Sequence, residues 1–469
     1  MLAPSATQSP TATLLRLAWP IVLARATQAV VGFSDAFMVA PLGEAALAAV
    51  TTGAMDVLCL IMLPLGSMFI LQSFAAQLRG KGDLVAVGRY AHYGLFLSVV
   101  AGAIGFCVVP LIGFGLGLIG YEPAVERDME AYISVRLYSV AMLVGTEALG
   151  NWYGGLGNTR MALVASVLTM VSNVLLNYLL IEPHWGLPGY GAVGAAWAST
   201  VATTLGFLVL LVCFLKRIGH EVPKAPLDFR WPEFARMLRF GLPGGINYFL
   251  EFAAFALFIN VVVGHLGTTT LAAFNVVFQL NMLSFMPAFG VASAGAILVG
   301  EAIGRGQPER VRGLTWLALR FTAGWMLAVG LVYILMPAPF IQLFAPADVA
   351  ADELMQVGAL MLALSGVWQL FDAIAMTLTE TLRAAGDTAW PMAARIFLAW
   401  CVFTPGAWLS VLAYDGGPTA VMLSVIVYLF VLALILAYRF QSGAWQRISL
   451  VGPGEAAPAP AVPEPSLSH

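Results

Sequence analysis

The sequence predicts an all-α integral membrane protein, with twelve transmembrane helices in two six-helix lobes related by a pseudo-two-fold axis along the membrane normal. Three observations predict it. Of 469 residues, 60% are hydrophobic and only 10% charged, against roughly 25% charged in soluble chains, and the mean hydropathy is +0.87. The apolar residues fall into runs of membrane-spanning length bounded by Gly, Pro and charge. The two halves of the chain also repeat one another.

The runs place helices at 14–40, 45–78, 87–118, 124–153, 161–182, 189–215, 235–265, 269–303, 311–342, 350–383, 388–413 and 417–440. The chain then divides into an N-terminal cytoplasmic segment (1–13), a first lobe (14–215), a cytoplasmic linker (216–234), a second lobe (235–440) and a tail (441–469). The tail is rich in Pro, Ala, Ser and Glu and is expected to be disordered, because that composition buries no core. Met1 to Thr13 lacks the basic-then-apolar pattern of a removable signal, so the first run is expected to be a resident helix.

The repeat is carried by short motifs at one offset. Arg16 and Pro20 answer Arg239 and Pro243, Leu42-Gly43 answers Leu266-Gly267, Pro64 answers Pro287, Gly80 and Gly82 answer Gly304 and Gly306, and Gly157 answers Gly386. The offset stays between 223 and 229 residues. Six spans is an even number, so both halves enter from the same side and are related by an axis along the membrane normal, with a cavity between them.

Orientation follows from the basic loops. One set holds Arg79, Lys81, Arg89, Arg160, Lys216, Arg217, Lys224, Arg230, Arg305, Arg310, Arg312 and Arg383, while the alternate set holds only Arg127. The first set is therefore expected to be cytoplasmic, and both termini with it. A net charge of −3 argues against nucleic-acid binding and leaves nothing basic over for phosphates. Cys59, Cys107, Cys213 and Cys401 lie in apolar runs without metal-site spacing and read as small core residues.

The chemistry rests on acids inside the membrane. Glu251 lies twelve residues beyond Arg239, roughly 18 Å in by helical rise and close to mid-bilayer. Asp372 lies eleven residues before Arg383, roughly 16 Å in. Paired carboxylates at one depth raise each other's pKa and are suited to sharing a proton or an Na⁺ ion. Asp35 is the one acid of the first run, and Asn173 and Asn177, four apart, present two amides on one helix face that either bond Asp35 or join helices. Asp56 and Glu147 read as interhelical hydrogen-bonding groups. Phe255, Phe278, Gln279 and Met282, close to the acids in sequence, are candidates for a wall facing flat organic cations, and Trp368, Asn173 and Asn177 are substrate-cavity candidates with them. Pro20 and Pro243, the latter among Gly241, Gly244 and Gly245, are candidate hinges.

Pro20, Gly32-Phe-Ser-Asp35, Leu42-Gly43, Gly80-Lys-Gly-Asp83, Glu251 and Leu382-Arg-Ala-Ala-Gly-Asp387 together resemble the multidrug and toxic compound extrusion (MATE) family, in its NorM-like branch, over about 14–440. The resemblance implies a V-shaped pair of lobes that exports lipophilic, often cationic, organic compounds in exchange for Na⁺ or H⁺. It places Glu251 and Asp372 on the cation-site acids of the second lobe and Asp35 on the acid of the first. Two departures matter. Trp368 stands where the NorM-like pattern often has Tyr, offering an N–H donor and no oxygen ligand, and Asn177 stands where the DinF-like branch has a second acid. The second lobe is therefore the expected coupling site.

A secondary antiporter, acting as a monomer without cofactor in a bacterial-type inner membrane, is the leading expectation. A lipid-linked oligosaccharide flippase of the same superfamily is the alternative, but only Arg25, Arg136, Arg320 and Arg395 lie well inside helices to meet a pyrophosphate. No G-x-x-x-x-G-K-[ST] loop occurs, which excludes an ATP-driven pump of that class. A channel lacks a filter-like loop, and His92, His184, His220, His265 and His469 form no catalytic constellation for an enzyme.

Overall fold

The computed structural model describes residues 9–183, 188–224, 228–344 and 350–452. Residues 1–8, His184, linker residues 225–227 and tail residues 453–469 lie outside the described residues. Among those described, regular structure is helical throughout. The membrane-length helices are α1 (Pro10–Leu42), α2 (Glu44–Lys81), α3 (Leu84–Gly117), α4 (Pro123–Leu137 with Val140–Gly155), α5 (Arg160–Leu180), α6 (Gly191–Leu215), α7 (Trp231–Val263), α8 (Thr268–Gly304), α9 (Glu309–Leu335), α10 (Asp352–Ala385), α11 (Ala389–Ala413) and α12 (Pro418–Gln441). Eleven are single long apolar helices, and α4 is a pair bent by 48°, which gives twelve spans when that pair counts as one.

The punctuation behaves as the repeat requires. Gly43 and Gly267 hold nearly the same backbone angles (φ 107° and 97°) at equivalent turns, in the left-handed half of conformational space that favours glycine. Asp83 caps α3 by accepting the Ala86 amide at 2.9 Å, and Ser9 caps α1 by accepting the Ala12 amide at 3.3 Å. Each lobe has its own apolar core, one around Phe74, Tyr132, Trp152 and Tyr153, the other around Phe258, Phe274, Leu362 and Tyr428.

The lobes meet at the end that carries the basic loops. Helix α2 packs on α7 and α8 there, and α1 packs on α8 through Leu14, Leu17, Ala18, Ala294 and Ile297. Small residues set the spacing: a Cβ added at Gly66 would lie 2.8 Å from Gly245 Cα, and one at Gly304 would collide with the Gln77 carbonyl oxygen. Among the described residues, hydrogen bonds between the lobes join Phe69, Gln72, Gln77, Arg89 and Tyr93 to partners at Glu233, Ser293, Arg383 and Ala384. Asp35 and Glu251 both lie beyond this seam. Gly241 and Gly245, expected to let α7 bend at Pro243, serve first as the close-approach surface against α2.

Several expectations are corrected. The ninth run breaks at Met336, leaving Pro337–Gln342 as a separate short helix, because Pro337 cannot continue α9. Helix α7 begins at Trp231 rather than 235, with Pro232 in its first turn. Ser442–Gly452, assigned by composition to a disordered tail, packs instead: Trp445 stacks on Phe440 and Leu450 is 1% exposed. Cys107 and Cys401 are exposed on helix faces rather than buried. Three stretches of π-helix, Phe258–Val263 in α7 and Leu398–Phe403 and Leu409–Ala413 in α11, interrupt the second lobe alone among described residues.

Candidate functional site

In the first lobe, three helices converge on one carboxylate. Asp35 is 8% exposed on α1, while Asn173 and Asn177 of α5 are fully buried. Asn177 Nδ2 donates to Asp35 Oδ1 at 2.6 Å, Asn173 Nδ2 donates to the same oxygen at 3.0 Å, and Ser199 Oγ of α6 donates to Oδ2 at 2.9 Å. The i, i+4 spacing aims both amides at a single oxygen, and Asn177 Nδ2 also reaches Asn173 Oδ1 at 3.2 Å. Every neighbour that bonds Asp35 is a neutral donor. No described cation pairs with it. The buried Asn177 Oδ1 has no hydrogen-bond partner, leaving an unused oxygen beside the carboxylate. Ser199 was missed from sequence, where one serine in a long apolar run carries little signal.

The second lobe holds a different cluster. Arg395 of α11 places Nη1 2.8 and 3.1 Å from the two oxygens of Glu251, while Nη2 donates to Thr379 Oγ1 at 3.1 Å. Asn247 Nδ2 donates to Glu251 Oε2 at 3.3 Å and Tyr428 Oη to Oε1 at 3.4 Å. Asp372 lies two turns before Thr379 on α10, within electrostatic range of both Arg395 and Glu251. The expectation of two acids without a cation is thereby changed to two acids and one guanidinium. Arg395 was weighed in sequence only as a possible pyrophosphate contact. Its position well inside a span was already reason to look for its carboxylate.

The remaining candidates separate by burial. Trp368 is 7% exposed within the second-lobe core. Phe255 and Phe278 form a tilted ring pair at 5.6 Å packed against that core. Gln279 and Met282 are exposed on α8, Met282 at 46%. Pro20 and Pro243 sit inside α1 and α7 at the level of the seam. Asp56 makes no hydrogen bond to any described residue, contrary to expectation.

A third polar group, unforeseen as a unit, lies in the seam. Arg25 reaches both oxygens of Glu147, at 3.3 and 3.5 Å, and lies over the rings of Phe69 and Phe289. Arg383 also lies over the Phe69 ring, pairs with Glu380, and donates to the Phe69 carbonyl and to Gln72 Oε1. A cavity of about 70 Å³ lies here, lined by Arg25, Gln28, Phe69, Gln72, Glu147 and Ser293 among others. Among the described residues, no group of three or more His, Cys, Asp or Glu side chains is arranged to hold a metal ion.

Comparison with known proteins fits this geometry. The MatE family matches residues 20–179 and 243–409, one segment in each lobe. The chain is 27% identical over 380 residues to a probable multidrug resistance protein NorM of Thermotoga maritima, covering 78% of each. It is 25% identical over 439 residues to the multidrug resistance protein PmpM of Pseudomonas aeruginosa, covering 92% of this chain and 91% of that one. A structure described as the outward-facing conformation of a multidrug resistance MATE family transporter of the MOP superfamily superposes with a TM-score of 0.85 at 22% identity, over 94% of this chain and 98% of that one. A MOP superfamily transporter from Pyrococcus furiosus, whose binding pocket is described as reversed in polarity, gives 0.86 at 22% over the same shares. The fold is common to both solved structures, and with the family match in both lobes and in chain order, the chain belongs to the MatE family.

Proposed function

We propose that this protein is a secondary active multidrug efflux antiporter, exporting lipophilic and often cationic organic compounds in exchange for Na⁺ or H⁺ by alternating access. The observation that carries this reading is Asp35, a membrane-buried carboxylate held by neutral donors alone. A membrane-buried charge without a counter-ion is costly, so binding of a proton or Na⁺ stabilises whichever arrangement of the lobes presents it. If the organic substrate favours the opposite arrangement, exchange becomes obligatory.

Asp35, rather than the second-lobe acids expected from sequence, is the primary coupling acid in this reading. The cluster of Glu251, Asp372 and Arg395 is a second one, in which Arg395 acts as a tethered cation and Asp372 carries the charge left over. The unused Asn177 oxygen and the carboxylate of Asp35 supply hard ligands suited to Na⁺, and the same carboxylate suits a proton. The flippase reading gains no support from Arg25 and Arg395, since each is already paired with a carboxylate. The basic-loop distribution favours an inner-membrane orientation with both termini cytoplasmic and the seam closed towards the cytoplasm. Each chain carries both lobes, which supports function as a monomer.

The test is efflux of a fluorescent lipophilic cation from vesicles containing the purified protein, under an imposed Na⁺ gradient and then an imposed pH gradient. At least one gradient is expected to drive export, and export that follows neither would overturn the proposal.

A further inference from the structure

At the basic end of the second lobe, the first turns of α7, the turn from α10 to α11 and the stretch after α12 enclose a pocket of about 610 Å³. Three guanidiniums line it, from Arg236, Arg239 and Arg447, beside the hydroxyl-bearing residues Thr388 and Ser449. Among the described residues none of the three is in an ion pair. Asp387, the acid of that wall, is already held by Arg439 Nε at 2.6 Å. A general preference for basic residues on this side explains charge in the loops, but not the convergence of three arginines from two separate chain segments. That convergence is built by packing, because Leu450 is buried against Gly386 and Gly452 lies beside the Arg236 guanidinium.

A second cavity adjoins the first. Between α11 and α12 runs an apolar groove of about 470 Å³, lined by Trp390, Ala393, Ala394, Phe397, Leu434 and Tyr438 among others. Ala393 and Ala394, small residues between larger ones, leave its depth. Arg439 links the two, pairing with Asp387 of the pocket lining and lying 5.1 Å over the Trp390 ring of the groove lining.

We propose that pocket and groove together bind one anionic phospholipid, with its phosphate against Arg236, Arg239 and Arg447 and an acyl chain along the groove. Guanidinium forks match phosphate oxygens in geometry as well as charge, and an apolar groove beside them is what separates a lipid from a free phosphate. The expectation that nothing basic is left for phosphates counted charge over the whole chain, whereas this site depends on local convergence. The bound lipid also steadies a bridge between the lobes. Leu450 packs into the first-lobe core cluster while touching Gly386 of the second, and Arg447 lies three residues before it.

The test is native mass spectrometry of the full chain in detergent with equal amounts of phosphatidylglycerol and phosphatidylcholine, repeated with glycerol 3-phosphate as a head-only competitor. The wild-type chain is expected to retain phosphatidylglycerol at least tenfold better, since each of the three arginines near an anionic headgroup is worth about fivefold and the factors multiply. Arg236→Gln/Arg239→Gln/Arg447→Gln should abolish that preference, and the matching triple Lys variant, which guards against misfolding, should keep most of it. Ala394→Trp, filling the groove, should weaken lipid retention, and glycerol 3-phosphate should not displace the lipid. Equal retention of both lipids by the wild-type chain, or an undiminished preference in the triple Gln variant, would overturn the site. Displacement by glycerol 3-phosphate, or retention unaffected by Ala394→Trp, would overturn the lipid assignment.

Discussion

Arg395 Nη1 stands 2.8 Å from Glu251 Oε1 and 3.1 Å from Oε2, so the deepest acid of α7 already has a cation tethered to the protein. Removing the guanidinium alone leaves a partly buried carboxylate with only Asn247 and Tyr428 to solvate it. Arg395→Gln should therefore destabilise the protein by about 2 kcal/mol, below the range for fully buried pairs because both groups keep some exposure. Glu251→Gln in the same chain should recover more than half of the loss. Thermal unfolding in detergent measures both, and losses that simply add would contradict the pairing.

The seam depends on backbone contact at glycine. A methyl group at Gly304 collides with the Gln77 carbonyl, which cannot swing aside as a side chain would. Gly304→Ala should cost about 1–3 kcal/mol or force the lobes apart at the basic end. In a chain freed of its native cysteines, a cysteine at the buried Ser293 position should react faster with maleimide in the Gly304→Ala background. Unchanged reactivity together with unchanged stability would mean that the seam is looser than described.

The linker contains a pH-sensitive contact. His220 Nδ1 accepts the Val222 amide at 3.3 Å while Nε2 lies 3.2 Å from the Phe214 carbonyl, which requires the neutral ring. Burial pushes the His220 pKa below its ordinary 6.5. The folded linker thus binds fewer protons than the unfolded one, and this contribution to stability is present above about pH 6.5 and is lost as pH falls towards the folded pKa. Hydrogen exchange at Val222, corrected for its intrinsic rate, should accelerate as pH falls from about 7.5 to 5.5. His220→Gln should flatten that dependence, and an equally steep dependence in this variant would assign it elsewhere.

Lys224 tests the orientation. It is exposed in the linker, so a cysteine placed there in a chain lacking the native four should be labelled only from the cytoplasmic side. Labelling by an impermeant reagent from outside intact cells would reverse the topology.

The spans, the repeat and the acids were legible in the sequence because each leaves a local mark: apolar length, paired glycines at one offset, and a charge where none is cheap. Gly43 and Gly267 show how far that reaches, since two glycines 224 residues apart hold the same turn. Pairing was less legible. Nothing local ties Arg395 to Glu251 or Arg25 to Glu147, because those partners are set by which helix faces meet. The burial of Trp368 was hidden for the same reason, its neighbours on α10 giving no sign that this face points into the core. Composition misjudged Ser442–Gly452, where two large side chains, Trp445 and Leu450, suffice to anchor a short stretch onto an existing surface.

Gradient-driven efflux by Asp35→Asn in reconstituted vesicles tests the central claim most directly. The substitution removes the charge and keeps the volume, so the fold should survive and organic-cation binding should remain within about threefold of wild type, while driven efflux falls at least tenfold, a loss of about 1.4 kcal/mol or more in coupling. A well-folded Asp35→Asn protein that exports at the wild-type rate, with unchanged dependence on pH and Na⁺, would contradict the assignment and leave Glu251, Asp372 and Arg395 as the coupling site.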